Sequence, residues 1–125
     1  MSEEKNKGFT KLEDIITWQK SKTLAIDIYK ITYEPLFSKD FGLKDQIRRA
    51  AVSVPSNIAE GFGRSTNRDK RNFLVISRGS VFECVAIFDY LKDLNQIDKT
   101  SFDKYYYYLE EISKMLLALI KHFEK

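Results

Sequence analysis

Two side chains with the chemistry of a nucleophile, a general base or a soft metal ligand stand alone in this sequence. His122 is the single histidine and Cys84 is the single cysteine among the 125 residues. A catalytic nucleophile needs a base beside it, and a protein zinc site needs three or four ligands. The sequence therefore predicts no catalytic residue, no metal site and no cofactor. The lone cysteine and the absence of a secretory signal favour a bacterial-type cytoplasm.

Arginine is the remaining candidate for chemistry, because its guanidinium group forms forked hydrogen bonds with phosphate or carboxylate. The chain carries a net charge of +3, and all six arginines lie between positions 48 and 78. The segment from Lys44 to Arg78 holds eight Lys or Arg and three Asp or Glu. The candidate nucleic-acid-binding residues are Arg48, Arg49, Arg64, Arg68, Lys70, Arg71 and Arg78. The alternative is a solvated face whose charges pair with Asp45, Glu60 and Asp69.

A polar stripe recurs every three or four positions in the same region. Its members are Gln46, Arg49, Ser53, Asn57 and Glu60. Buried polar groups need partners, and Arg49 and Glu60 lie about three turns apart, so we expect them to pair across a subunit boundary. The stripe is either a hydrogen-bonded network at a helix or subunit interface, or a surface that binds a ligand or nucleic acid.

The elements that must position these residues are helices. Apolar side chains at helical spacing predict four segments, over residues 12–33, 43–64, 68–94 and 101–124. Alternating strand-like patterns are absent, and short connections favour antiparallel neighbours. We therefore predict a flexible N-terminus over residues 1–8 and one all-α, antiparallel up-down four-helix bundle over residues 9–125. No apolar run approaches the roughly 20 residues that span a bilayer, so no membrane role is expected.

Several local features predict how the helices pack. A second apolar flank of the 43–64 helix, with Val52, Pro55 and Ala59 beside Arg48, predicts contact with another copy of the chain. A glycine in a helix interior costs stability, so Gly79 predicts a close helix approach. Thr100 followed by Asp103 predicts the N-terminal cap of the last helix.

The run from Phe41 to Arg64, FGLKDQIRRAAVSVPSNIAEGFGR, resembles the signature of the 23S rRNA intervening-sequence protein family, also called four helix bundle proteins. Shorter pieces elsewhere in the chain agree with this signature. They are Trp18-Gln19, Phe73-Leu74, Gly79-Ser80, Glu83 and Met115-Leu116. The resemblance implies a ring-shaped homopentamer of four-helix bundles without catalytic activity. The chain is also similar to the accessory variability determinant of diversity-generating retroelements, which implies RNA or DNA and a reverse transcriptase as partners.

Two functional hypotheses follow. The first is a non-enzymatic, oligomeric scaffold or accessory protein that binds RNA or DNA through the arginine zone. The second is a protein-interaction hub that does not bind nucleic acid, with its surface around Trp18 and the four tyrosines from Tyr105 to Tyr108.

Overall fold

The computed structural model describes residues 15–124, apart from the side chains of Leu36 and Ser38. It contains helices α1 (Ile16–Ile31), α2 (Pro35–Ser38), α3 (Phe41–Phe62), α4 (Asn67–Asp93) and α5 (Lys99–His122). This part of the chain has no strand, so the prediction of four long helices is confirmed. The short α2 lies inside the predicted connection. The predicted helix start at residues 12–14 and the predicted flexible N-terminus lie outside the described residues.

The four long helices form a closed bundle in which each helix packs antiparallel to two neighbours. Ser77 of α4 donates a hydrogen bond to the carbonyl of Val54 on α3, and α4 meets α5 where Phe88 stacks on Tyr105. Tyr108 of α5 donates a hydrogen bond to the carbonyl of Lys20 on α1, which closes the bundle. α1 in turn packs against α3. The order around the bundle is thus the order in the chain, which is the up-down arrangement.

Local hydrogen bonds explain where the helices begin. Asp40, Thr66 and Asp98 each accept a hydrogen bond from the backbone N–H three residues later, which caps α3, α4 and α5. The predicted cap at Thr100 is wrong, because Asp98 takes that position and α5 starts earlier.

The end of α4 uses a left-handed residue. Asn95 has a φ of 58°, and the neighbouring amide of Gln96 donates to the carbonyl of Leu91 at 2.8 Å. This is the hydrogen-bond pattern of a Schellman motif, which turns the chain directly after a helix. The turn also exposes Leu94, which is 54% accessible although it continues the apolar spacing of the helix.

The core consists of aliphatic side chains from all four long helices with a few rings. Its largest fully buried members include Phe88, Ile47 and Leu116. Phe88 stacks on Tyr105 with ring centroids 5.0 Å apart. Cys84 is also buried, and burial raises the pKa of its thiol to about 12, so it serves as a small core residue.

The seam between α3 and α4 is built from small residues. A Cβ on Gly61 would lie 3.1 Å from the carbonyl oxygen of Lys70 and 3.1 Å from the Cβ of Phe73. The close helix approach that the sequence predicts at Gly79 therefore occurs at Gly61. A Cβ on Gly79 would meet no neighbouring helix within 4 Å among the described residues, so within one protomer that prediction is wrong.

We expect Gly61→Ala to destabilise the protein by about 1–2 kcal/mol, because the backbone of α4 must shift to admit the methyl group. Gly42→Ala is the matched control in the same helix, since a Cβ there meets only Asp40 at 3.9 Å. Relative helix propensity predicts that the control is stabilised by up to about 1 kcal/mol. Urea unfolding followed by circular dichroism measures both. Equal effects of the two substitutions would contradict the close packing at Gly61.

Candidate nucleic-acid interface

Four of the seven predicted cations cluster at one end of the bundle. Arg64 follows the last turn of α3, and Arg68, Lys70 and Arg71 lie in the first turns of α4. α3 ends at a capped Gly63 and α4 begins at the Thr66 cap, so only a short turn separates the four side chains. We call these four residues the basic end.

Aromatic rings hold two of these cations in place. The guanidinium of Arg64 lies 4.7 Å from the ring centroid of Phe73, and the Lys70 ammonium lies 5.6 Å from that of Phe123. Phe123 itself packs edge-on against Phe62, with centroids 5.7 Å apart. The last turn of α5 is therefore fixed beside the start of α4.

This packing brings Lys121 and His122 to the same end of the bundle, both exposed. They are not among the residues that the sequence predicts for this interface, because they lie about 50 residues from the arginines in the chain. The spacing within the last helix shows Phe123 on its apolar stripe, but only the closed bundle shows which helix start it contacts.

Arg68 and Arg71 are the cations most available to a ligand. Within residues 15–124, neither guanidinium forms an ion pair or a hydrogen bond, whereas Arg64 pairs with Glu60 at 3.2 Å. Asp69 lies in the same first turn and is the nearest carboxylate along the chain. The amide dipoles at the start of α4 add positive potential, which the Thr66 hydroxyl and Asp69 partly offset.

Arg48 does not belong to the basic end. It lies about 20 Å away along α3, where its guanidinium is flanked by the rings of Tyr29 at 4.6 Å and Tyr33 at 4.9 Å. Its Nε donates to the Thr32 hydroxyl at 2.9 Å. Its Nη2 is buried without a partner among the described residues. Arg48 therefore fastens α1 to α3, and its half-buried side chain is less available to a ligand than those of the basic end.

The two other predicted arginines are also outside the cluster. Arg49 is exposed beside Arg48 and pairs with Asp45 at 3.0 Å, one turn earlier on α3. Arg78 lies halfway along α4, where its Nε donates to the carbonyl of Ser113 at 3.3 Å and its guanidinium covers the ring of Phe82. The structure thus divides the predicted arginine zone into a basic end and three separate positions.

We expect Arg48→Gln to destabilise the protein by about 1–3 kcal/mol, because it removes two cation–ring contacts and a hydrogen bond between helices. Arg49→Gln is the matched control at the next position, because it loses only an exposed ion pair worth at most about 1 kcal/mol. Thermal unfolding measures both. A destabilisation at position 49 as large as that at position 48 would contradict the structural role of Arg48.

The predicted polar stripe separates into half-buried and exposed parts. Ser53 shares a hydrogen bond of 2.8 Å with Ser80 of α4, and Asn57 donates to the hydroxyl of Ser53 at 2.9 Å. These hydrogen bonds join α3 to α4 through Ser53 and Ser80 and hold Asn57 beside them. Gln46 is exposed, and Arg49 and Glu60 each have a local partner, so their predicted mutual pairing is not seen within one protomer.

The surface proposed for a protein-interaction hub is smaller than predicted. Tyr105 is buried, and burial raises the pKa of its hydroxyl, as it also does for the half-buried Tyr108. Trp18 is half-buried as well. Only Tyr106 and Tyr107, 40% and 67% accessible, remain as an exposed pair of rings.

The other parts of the described structure give less support for a binding site than the basic end does. A groove of about 870 Å³ lies between the end of α1 and the α4–α5 turn, at the opposite end of the bundle from the basic end. Its charged lining is of mixed sign, with Asp27, Lys30, Glu34, Asp98 and Lys104. Among the described residues, no three His, Cys, Asp or Glu side chains cluster to hold a metal. No helix within residues 15–124 is long and apolar enough to cross a membrane.

Comparison with known proteins agrees with the helical fold. A crystal structure of a protein of unknown function from the S23 ribosomal protein family of Bacteroides thetaiotaomicron VPI-5482 superposes with a TM-score of 0.79. It is 26% identical, and the match covers 85% of this chain and 99% of that one. No curated protein matches the chain. A family profile matches residues 13–118, and on that basis the chain belongs to the 23S rRNA-intervening sequence protein family.

Proposed function

We propose that the protein is a non-enzymatic, oligomeric scaffold that binds the phosphate backbone of RNA or DNA through its basic end. The observation that carries the proposal is the pair Arg68 and Arg71, whose guanidinium groups have no carboxylate partner within residues 15–124. Arg64 and Lys70 lie beside them, held on aromatic rings. Phosphate contacts of this type give affinity without reading the base sequence.

One protomer supplies few cations, so assembly matters to the affinity. A homo-oligomer repeats the basic end once per subunit, and linked weak contacts act together through a high effective concentration. The ring-shaped homopentamer that the resemblance implies is the assembly we propose. Its support in the structure is exposed apolar surface, such as Val52 at 41% accessibility. A single 14.7 kDa subunit in sedimentation at micromolar concentration would contradict it.

Salt dependence tests the nucleic-acid proposal. Fluorescence anisotropy with a labelled 20-nucleotide RNA, and with a DNA duplex of equal length, gives the dissociation constant at 50 and 200 mM salt. We expect the affinity for both ligands to fall at least tenfold over that range, because each phosphate contact releases bound counterions. Absent binding, or binding that does not change with salt, would overturn the proposal.

The partner of such a scaffold is a separate question. A reverse transcriptase, which the likeness to the accessory variability determinant implies, is the protein partner we propose, in the cytoplasm. If instead a protein partner is retained after nuclease treatment and lost in Tyr106→Ala/Tyr107→Ala, the alternative function as an interaction hub would replace the nucleic-acid proposal. The exposed pair of tyrosine rings is the observation that favours this alternative.

A further inference from the structure

The face of α4 that points away from the core is apolar in its middle. Four large side chains on this face are between 51% and 61% accessible: Val75, Ile76, Phe82 and Tyr90. Gly79 and Ala86 are exposed among them. These positions recur at helical spacing, so they form one stripe on the outside of the bundle. A helix of an isolated four-helix bundle carries polar side chains on that side.

The two ends of this stripe have opposite charge. Arg68 and Arg71 continue it toward the start of α4, and Asp89 and Asp93 continue it toward the end. Asp89 pairs with Lys92 at 3.3 Å, whereas Asp93 forms no ion pair within residues 15–124. The outer face of α4 therefore runs from a basic end to an acidic end, and its mostly apolar middle also carries the exposed Glu83.

We propose that this face binds the same face of a second copy of the chain, with the two α4 helices antiparallel about a two-fold axis near residues 80–81. Four pairs of positions lie almost symmetrically on either side of that centre: 68 and 93, 71 and 89, 75 and 86, and 79 and 82. Arg68 then meets the partner subunit's Asp93, and Val75 meets the partner subunit's Ala86. Every charge at one end finds the opposite charge, as an isologous interface requires.

The proposal also explains the glycine in the middle of α4. Gly79 costs up to about 1 kcal/mol relative to alanine in a helix interior, and nothing within its own protomer occupies the space beside it. In the antiparallel pair this space receives the ring of the partner subunit's Phe82. The helices can approach closely at the axis because one side of the contact has no side chain.

This contact differs from the one that closes a ring. A two-fold contact joins two copies and stops, and such contacts alone cannot close a ring of five. It would therefore join two rings, or two free subunits if no ring forms. Because Arg68 and Arg71 belong to both surfaces, the contact is measured without nucleic acid.

Cysteine cross-linking tests the geometry. Val75→Cys and Ala86→Cys are both at exposed positions, and they lie about 16 Å apart on one helix, which is too far for a disulfide within a chain. We expect the double variant, oxidised and run on a non-reducing gel, to give a covalent dimer and no longer ladder. Each single variant should stay monomeric on the gel, as should the wild-type chain, whose Cys84 is buried.

Any other pattern overturns the proposal. A ladder of trimers and higher species would show that position 75 meets position 86 head to tail, and cross-linking of a single variant would show a parallel contact. No cross-link in a double variant with wild-type circular dichroism would show that the faces do not meet. The nucleic-acid proposal, which rests on Arg68 and Arg71 having no carboxylate partner within one subunit, is tested separately by salt-dependent binding.

A charge exchange gives an independent readout of the same contact. Asp93→Arg should weaken self-association about tenfold in light scattering, and adding Arg68→Asp should restore it, because the exchanged charges again attract. If the second substitution weakens association further, the antiparallel pairing is wrong.

Discussion

Arg68→Glu/Arg71→Glu is expected to weaken nucleic-acid binding by about a hundredfold at 100 mM salt. Each reversal removes a phosphate contact and replaces it with repulsion, and each lost contact makes the negative slope of log affinity against log salt shallower by about one. The slope should therefore become less negative by about two. These side chains are exposed or half-buried and form no ion pair within residues 15–124, so their replacement should leave the fold intact.

The matched control is Arg49→Glu, the same change of charge on an exposed arginine outside the basic end. It breaks only the ion pair with Asp45. We expect it to change the affinity less than threefold, through the net charge alone. If the Arg49 variant loses as much affinity as a single Arg68→Glu variant, binding depends on total charge and not on the basic end. If Arg68→Glu/Arg71→Glu binds as wild type does, the basic end is not the interface.

The largest effect on stability is expected from Phe88→Ala. Phe88 is 1% accessible and stacks on Tyr105 between α4 and α5, so the substitution removes a buried ring and leaves a cavity. Such changes cost about 3–5 kcal/mol, a large share of the 5–15 kcal/mol typical of a domain. Guanidinium chloride unfolding monitored by circular dichroism gives the free energy of unfolding.

Phe41→Ala controls for the loss of an aromatic ring as such. Phe41 is 72% accessible at the first residue of α3, where its ring contacts only the Lys44 ammonium at 4.8 Å among the interactions of the described residues. We expect a change within about 0.5 kcal/mol. A Phe88 variant as stable as the Phe41 variant would mean that the interior of the bundle is not packed as described.

The four long helices could be predicted because apolar periodicity is a local property of each segment. The sequence predicts α4 over residues 68–94, and the helix runs over Asn67–Asp93. The end of a helix is harder to predict where two residues could cap it. At the start of α5, Asp98 occupies the capping position that the sequence predicts for Thr100. The role of Gly79 was not predictable, because a glycine pattern cannot show whether a neighbouring helix belongs to the same chain.

The arginine zone shows the limit of reasoning from position in the chain. Arg48 lies on α3 and Arg64 directly follows that helix, but only the fold shows that Tyr29 and Tyr33 flank Arg48 while Arg64 is exposed. Lys121 could not be predicted for the converse reason, since the contact of Phe123 with Lys70 joins the end of α5 to the start of α4. Charge clusters can be read from a sequence, whereas their availability to a ligand depends on contacts between distant segments.

Hydrogen exchange with and without a short RNA tests most directly whether polyanions bind at the basic end. We expect added RNA to slow amide exchange in residues 61–72 and 119–124 and to leave residues 43–50 unchanged, at a salt concentration where binding is complete. Slower exchange centred on residues 43–50, or no change anywhere despite full binding of the RNA, would contradict it.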